Sequence, residues 1–97
     1  MTRVTFSPLA AADVEAIWDY TSENWDEAQA ERYVTRLRSA IESLAKHSRP
    51  GRACNEIRPG YRKLLVGSHL LFYRMNDSGI EVVRILHQRM DVDEYLE

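Results

Sequence analysis

The sequence has little cysteine, no long apolar run and no signal peptide. Cys54 is the single cysteine in 97 residues, so an internal disulfide is excluded and we expect an incidental thiol in a loop. No stretch approaches the roughly 18 apolar residues that a membrane-spanning helix needs, and the first residues lack the apolar core of a signal peptide. We therefore expect a cytoplasmic protein without a membrane segment.

Cofactor chemistry also finds no support in the sequence. His47, His69 and His87 are far apart, and no two of them have the spacing of metal ligands. Neither a bound metal nor another cofactor is expected. With 97 residues the chain can close one core, and we expect a single domain over residues 1–97, since domains usually have about 100 to 150 residues.

The sequence does contain a separation of charge along the chain. The net charge is −2, but residues 1–48 carry 5 basic and 8 acidic side chains, residues 49–89 carry 8 basic and 3 acidic ones, and residues 90–97 carry 4 acidic ones. A basic segment in a mildly acidic protein suggests an anionic partner, either a nucleic acid or an acidic protein segment. A solvated charged surface is the other interpretation.

Two amphipathic helices are expected after a short first strand at residues 3–6. Ser7 and Pro8 are typical of a helix start, because serine accepts a backbone N–H as the N-cap and proline gives up a donor that lacks a partner there. Asp26, followed three residues later by a glutamine, predicts the capping box of a second helix. Apolar residues recur at three-to-four spacing in both segments. We expect an antiparallel helical hairpin with Trp18 in its core.

Three strands are expected after a loop over residues 47–60, which contains two Pro-Gly pairs. Strand-forming residues at 61–66, 69–75 and 80–87 are separated by turns too short for a parallel return, so the strands are antiparallel neighbours. The order β-α-α-β-β-β predicts an α+β fold, a helical hairpin packed on a small antiparallel sheet. The place of the first strand in the sheet stays open, and residues 90–97 allow a final acidic helical turn.

Several short segments resemble the ParE branch of the ParE/RelE toxins, in an order that extends over nearly the whole chain. Each segment alone is a weak signal. Their joint order on the expected β-α-α-β-β-β pattern identifies the chain as a member of this superfamily. The segments are FSPLA (6–10), IWDY (17–20), AERY (30–33), PGR (50–52), IRPGYR (57–62), VGSH (66–69), FYR (72–74) and RILHQRMD (84–91).

The resemblance implies the toxin of a type II toxin–antitoxin system, encoded beside a ParD-type antitoxin that neutralises it. Members similar to this chain inhibit DNA gyrase and so block replication, without an enzymatic activity of their own. Such a toxin reaches operator DNA only through its antitoxin. Two alternatives stay open: the RelE branch, whose members cleave mRNA at the ribosome, and an inactive member that only pairs with its antitoxin.

A metal-free ribonuclease needs a base, an acid and cations around the reacting phosphate. Here His87, Lys63 and Arg84 are the candidates. Arginines hold phosphate but do not exchange protons, so besides His87 only Lys63 could transfer one. We therefore expect a protein that binds its target and is not an enzyme, and for His87 a structural hydrogen bond to the backbone or to an acid such as Asp91.

The candidate binding residues lie mostly on the expected strands. Arg74 and Arg84 fall within apolar runs on adjacent strands, where they could meet across the sheet. They either pair with acids of the chain or emerge on a face that the antitoxin covers, and we expect the second. Trp25, at the tip of the hairpin, is either a lid on the core or a contact anchor. The residues predicted to bind antitoxin or target are Arg58, Arg62, Arg74, Arg84, His87, Arg89 and Trp25.

Overall fold

The structure is a computed structural model that describes residues 3–47, 52–55 and 57–90. The expected α+β fold is confirmed, and one two-residue strand is added that the sequence analysis did not predict. The final helical turn predicted for residues 90–97 lies outside the described residues from 91 onward. The elements are β1 (Arg3–Phe6), α1 (Pro8–Asn24), α2 (Glu27–His47), β2 (Arg52–Ala53), β3 (Tyr61–Val66), β4 (His69–Asn76) and β5 (Gly79–His87).

The described strands form one 5-stranded sheet in the order β1-β5-β4-β3-β2. The meander from β3 to β5 is antiparallel as predicted, with Leu70 opposite both Leu65 and Leu86. The first strand, whose place was open, runs parallel to β5, with Val4 opposite Ile80. Two parallel neighbouring strands need a long connection between them. The helical hairpin, which follows β1 in the chain, is part of the connection from β1 to β5.

Ser7 and Asp26 cap the two helices as predicted, but the reciprocal half of the capping box is not formed, because the Gln29 side-chain oxygen accepts from Arg32 at 2.7 Å instead. The Ser7 hydroxyl accepts the N–H of Ala10 at 3.0 Å, and the Asp26 carboxylate accepts the N–H of Gln29 at 2.7 Å. The Ser7 hydroxyl also donates to the carbonyl of Val83 at 2.6 Å. Ser7 therefore both caps α1 and attaches its first turn to β5.

The main core lies between the helices and the sheet. The hairpin contributes Ile17, Leu37 and Ile41, and the sheet contributes side chains such as Leu71 and Val82. None of the helices in the described part of the chain is long and apolar enough to cross a membrane. The hairpin is thus an amphipathic layer whose apolar side covers one face of the sheet.

Trp18 differs from its predicted place in the core, because its side chain is only half-buried. The buried positions of α1 are Ala10, Ile17 and Thr21. Trp18 follows Ile17 by one residue, which turns its side chain about 100° around the helix axis, to the edge of the buried stripe. It lies in a groove beside Val34 of α2.

A second, smaller core covers the face of the sheet that points away from the helices, here called the outer sheet face. It consists of Cys54, Phe72 and Leu86, with Tyr61 and Met90 packed against them. The prediction that Cys54 is an incidental loop thiol is therefore wrong. Its side chain is fully buried and behaves as a small apolar group that joins the loop before β3 to the sheet.

Candidate functional site

Arg84 of β5 is paired with Asp13 of α1 between the sheet and the helices. The Arg84 Nε donates to Asp13 Oδ2 at 2.8 Å and its Nη2 donates to Oδ1 at 3.0 Å. The N–H of Ile85 donates to the same Oδ2 at 2.9 Å. The side chains of Arg84 and Asp13 are only 13% and 15% exposed. One carboxylate therefore serves three donors in a partly buried position, which is the arrangement that a charged pair needs away from water.

A bulge in β5 explains why Arg84 reaches α1. Adjacent residues of a regular strand point to opposite faces, yet Arg84 contacts α1 and its neighbour Ile85 belongs to the helix-facing core. The register with β4 shifts at this point, since Phe72 lies opposite Arg84 but Tyr73 lies opposite Val82. A bulge turns a side chain away from its regular direction, and here it brings the guanidinium to Asp13.

Two expectations about the arginines are therefore wrong. The Arg84 side chain does not emerge on a surface that an antitoxin could cover, because it forms an ion pair with Asp13. Arg74 and Arg84 do not meet across the sheet, because Arg74 lies opposite Glu81. Arg74 Nε donates to Glu81 Oε1 at 2.6 Å, and the side chain of Arg74 remains 53% exposed. A surface pair of this kind stabilises little, and it leaves Arg74 accessible.

Tyr33 of α2 fixes the turn between β3 and β4. Its hydroxyl lies 2.6 Å from Nδ1 of His69 and accepts the N–H of Ser68 at 3.0 Å. Gly67 in this turn has φ +59°, and a Cβ there would lie 2.7 Å from the Tyr33 hydroxyl oxygen. Only glycine allows both this backbone conformation and this close approach. The Tyr33 side chain of α2 therefore leaves no room for a Cβ at position 67.

Two histidines face each other at the end of the sheet. His69 of β4 lies opposite His87 of β5, and the centroids of their rings are 5.4 Å apart in a T-shaped arrangement. Burial lowers the pKa of His69, nearby His87 lowers it further, and Asp13 partly opposes the effect. Nδ1 of His87 accepts the N–H of Arg89 at 3.2 Å, a backbone hydrogen bond of the expected kind. The lowered pKa favours the neutral imidazole of His69, whose Nδ1 can then accept a hydrogen bond from the Tyr33 hydroxyl.

The histidine pair lines a cleft of about 410 Å³ between α1 and the end of β5. Ile17, Tyr20 and Met90 are among its other lining residues. Tyr20 and Trp25 are 63% and 66% exposed, and their rings stack edge-on with centroids 6.4 Å apart. Trp25 is therefore not a lid on the core. Of the two interpretations, the geometry supports an exposed contact residue.

The other predicted residues are dispersed over the surface. Lys63 lies directly opposite Phe72, whose buried side chain belongs to the outer sheet face, so Lys63 shares that face. Arg58 and Arg89 are exposed, whereas Arg62 is half-buried. The structure does not bring Lys63, Arg84 and His87 into one site. Within residues 3–47, 52–55 and 57–90, no group of three His, Cys, Asp or Glu side chains is arranged to hold a metal ion.

Sequence reasoning missed the residues that surround His87. Tyr33 and His69 are separated by 36 residues, and Asp13 and Arg84 by 71. No local spacing connects such residues. The one signal in the sequence is the glycine in the short turn before His69, which permits either a positive φ or a close approach to the backbone.

A family model and two relatives that match this chain are ParE toxins. Residues 4–92 match a family model described as the ParE toxin of type II toxin-antitoxin system, parDE. The chain is 56% identical over 96 residues to Toxin ParE1 of Mycobacterium tuberculosis (strain CDC 1551 / Oshkosh), and the alignment covers 98% of each chain. It is 38% identical over 96 residues to Toxin ParE1 of Caulobacter vibrioides, with 99% of each chain covered.

A solved structure is similar in fold. A chain of the chromosomal ParDE TA system from P. aeruginosa superposes with a TM-score of 0.78 at 23% sequence identity, covering 90% of this chain and 96% of that chain. At this identity the likeness concerns the arrangement of helices and strands, and it agrees with the hairpin packed on one face of the sheet.

Proposed function

This chain belongs to the ParE family of toxins of type II toxin–antitoxin systems, and we propose that it binds and inhibits DNA gyrase. Inhibition of gyrase in the cytoplasm blocks replication, and a ParD-type antitoxin neutralises the toxin by binding it. Operator DNA is reached only through the antitoxin. The toxin inhibits gyrase by binding it and has no enzymatic activity of its own.

The observation that carries this mode of action is the separation of Arg84 from Lys63, two of the residues that a ribonuclease site would have to bring together. Cleavage of RNA requires proton-transfer groups and cations that converge on one phosphate. The guanidinium of Arg84 is engaged by Asp13 beside α1, whereas Lys63 lies opposite Phe72 on the outer sheet face. These two cations point to different sides of the sheet. That separation supports binding over catalysis by this set.

The outer sheet face provides the accessible cations for such binding. Arg52 lies opposite Lys63, and Arg74 lies opposite Tyr61, so basic side chains flank the small outer core. Leu65, exposed by 56%, adds an apolar contact beside them. Guanidinium groups bind carboxylates in a bidentate fashion. An acidic antitoxin segment with apolar residues would therefore cover this face and mask it from the target.

The test is induced expression of the chain without its antitoxin. We expect growth arrest, inhibition of supercoiling by gyrase in a purified assay, and intact transcript ends. Coexpression of the ParD-type antitoxin should restore growth. Specific mRNA cuts with normal supercoiling would refute gyrase inhibition, and harmless expression would indicate an inactive member that only pairs with its antitoxin.

Ribosome-dependent cleavage of mRNA is a second candidate, favoured by one observation. His69, His87 and Tyr33 form a continuous set of side chains that can carry protons, with the Tyr33 hydroxyl 2.6 Å from His69 and the two imidazoles in ring contact. If this set is catalytic, His69→Gln and His87→Gln should each abolish both toxicity and transcript cuts. Toxicity that survives both changes eliminates this candidate.

A further inference from the structure

The side of α1 that faces away from the sheet carries a row of carboxylates. Glu15, Asp19 and Glu23 are spaced by four residues and are all exposed. The helix contains no basic residue, and neither of the ion pairs found among the described residues involves this row. Like charges four residues apart destabilise a helix. The row therefore has a local cost that neither of these ion pairs offsets.

Aromatic side chains flank this row on both sides. Toward α2, Trp18 lines a shallow groove of about 480 Å³ together with Val14 and Val34, and Glu15 and Asp19 form its acidic side. Toward β5, Tyr20 and Trp25 form the exposed stacked pair described above. Rings of this kind attract cations to their faces, and tryptophan does so most strongly. Carboxylates and aromatic rings thus occupy one continuous surface.

From this combination we propose that the outer side of α1 is a docking surface for a basic protein segment in which arginines alternate with apolar residues. The carboxylates of Glu15, Asp19 and Glu23 pair with the guanidinium groups, the rings of Tyr20 and Trp25 take further cations, and the groove receives apolar side chains. The sign of the charge excludes nucleic acid and an anionic membrane, since both repel such a row.

This inference goes beyond the proposed function. The outer sheet face is basic and lies on the other side of the molecule from the helices, so it suits an acidic partner segment. The surface on α1 is acidic and suits a basic one. The two surfaces can therefore be occupied at the same time, and binding at α1 does not depend on whether gyrase is the target.

The experiment uses fluorescence anisotropy to measure how a short labelled peptide, in which arginines alternate with leucines, binds to the full chain. A second peptide has glutamate at every arginine position. We expect the arginine peptide to bind and to lose affinity as the salt concentration rises, and the glutamate peptide not to bind. Equal affinity for both peptides overturns the proposal.

The variant that tests the row combines Glu15→Gln, Asp19→Asn and Glu23→Gln, and it should weaken the arginine peptide about tenfold. Circular dichroism should show that the variant stays folded, since it removes like charges from a helix. A control variant with the same change in net charge should alter the affinity less than about twofold, because its carboxylates are exposed elsewhere. It combines Glu31→Gln, Glu42→Gln and Asp77→Asn.

The aromatic pair is tested separately with Trp25→Ala and Tyr20→Ala, each of which should weaken the peptide at least about threefold. An equal loss from the row variant and its control would mean that only net charge attracts the peptide, and this overturns the proposal. So does an unchanged affinity in the row variant. If the chain does not inhibit gyrase but still binds the peptide, gyrase inhibition is refuted and the docking surface on α1 is not.

Discussion

Two arginines on neighbouring strands, Arg84 and Arg74, have similar sequence surroundings and very different structural ones. Arg84 lies between sheet and helices, where Asp13 binds it in a bidentate fashion and also accepts the N–H of Ile85. Arg74 lies on the outer sheet face, 53% exposed, with a single hydrogen bond to Glu81. A buried charge must keep its partner, whereas an exposed one is free to exchange its partner for another.

The comparison distinguishes charged side chains that stabilise the fold, such as Arg84, from charged side chains that are accessible to a partner, such as Arg74. On the helix side, polar groups have specific partners inside the protein: Tyr33 contacts His69 and Ser68, and Asp13 binds Arg84 and the N–H of Ile85. On the outer sheet face, cations remain accessible around a small apolar core. Substitutions on the helix side should therefore change stability first, and substitutions on the outer sheet face should change binding first.

The largest effect is expected for Asp13→Ala. It leaves the Arg84 guanidinium partly buried without its carboxylate and should lower the free energy of unfolding by about 3 to 4 kcal/mol. The control Glu81→Ala breaks the exposed pair and should cost no more than about 0.5 kcal/mol. Urea unfolding of both variants gives the comparison. Equal losses would mean that the two ion pairs do not differ in the way described.

The next effect is expected for Gly67→Ala, with Gly60→Ala as the matched control. Both glycines have positive φ, +59° and +82°, but a Cβ at Gly67 meets the Tyr33 ring whereas a Cβ at Gly60 meets nothing within 4 Å. Gly60→Ala should cost about 1 kcal/mol from the backbone alone, and Gly67→Ala about 2 to 3 kcal/mol because a clash is added. In a Tyr33→Ala background the difference should disappear, and its persistence in denaturant unfolding would contradict the role of Tyr33.

A pH-dependent loss of stability should come from the histidine pair. Because the pKa of His69 is lowered by burial and by His87, the unfolded chain binds more protons than the folded chain once the pH falls below about 6.5. The free energy of unfolding should therefore be unaffected by His69 above that pH and should decrease as the pH falls below it. His69→Gln should flatten this part of the profile in urea unfolding, and Arg74→Ala should leave it as in the parent. A parent-like slope in His69→Gln would exclude His69 as the source.

Local patterns predicted the elements of this fold well. Ser7 and Asp26 act as caps because a cap needs only its own next few residues, and the antiparallel meander follows from turns that are too short for another path. Trp18 was misplaced because the spacing of apolar residues defines the centre of a helix stripe better than its edges.

The site required contacts that no local pattern contains. Arg84 reaches Asp13 through a bulge in β5, and the bulge is not visible as a change in hydrophobic alternation alone. Cys54 is buried because the loop before β3 folds over Phe72, which depends on the path of the chain and not on the neighbours of Cys54. Contacts over 36 and 71 residues decide which titratable groups meet, so sequence reasoning could name His87 but not its surroundings.

The smallest effect on stability, and the most informative for function, is expected for Arg74→Ala. The exposed pair with Glu81 stabilises little, so the free energy of unfolding should change by no more than about 0.5 kcal/mol. Affinity for the antitoxin, measured by calorimetry on the purified chain, should nevertheless fall about tenfold, because an accessible guanidinium that binds a partner carboxylate is lost. Glu81→Ala is the control, since it frees Arg74 and should preserve or raise the affinity. If Arg74→Ala binds the antitoxin and arrests growth as the parent does, the outer sheet face is not the binding surface and the division between the two arginines has no functional meaning.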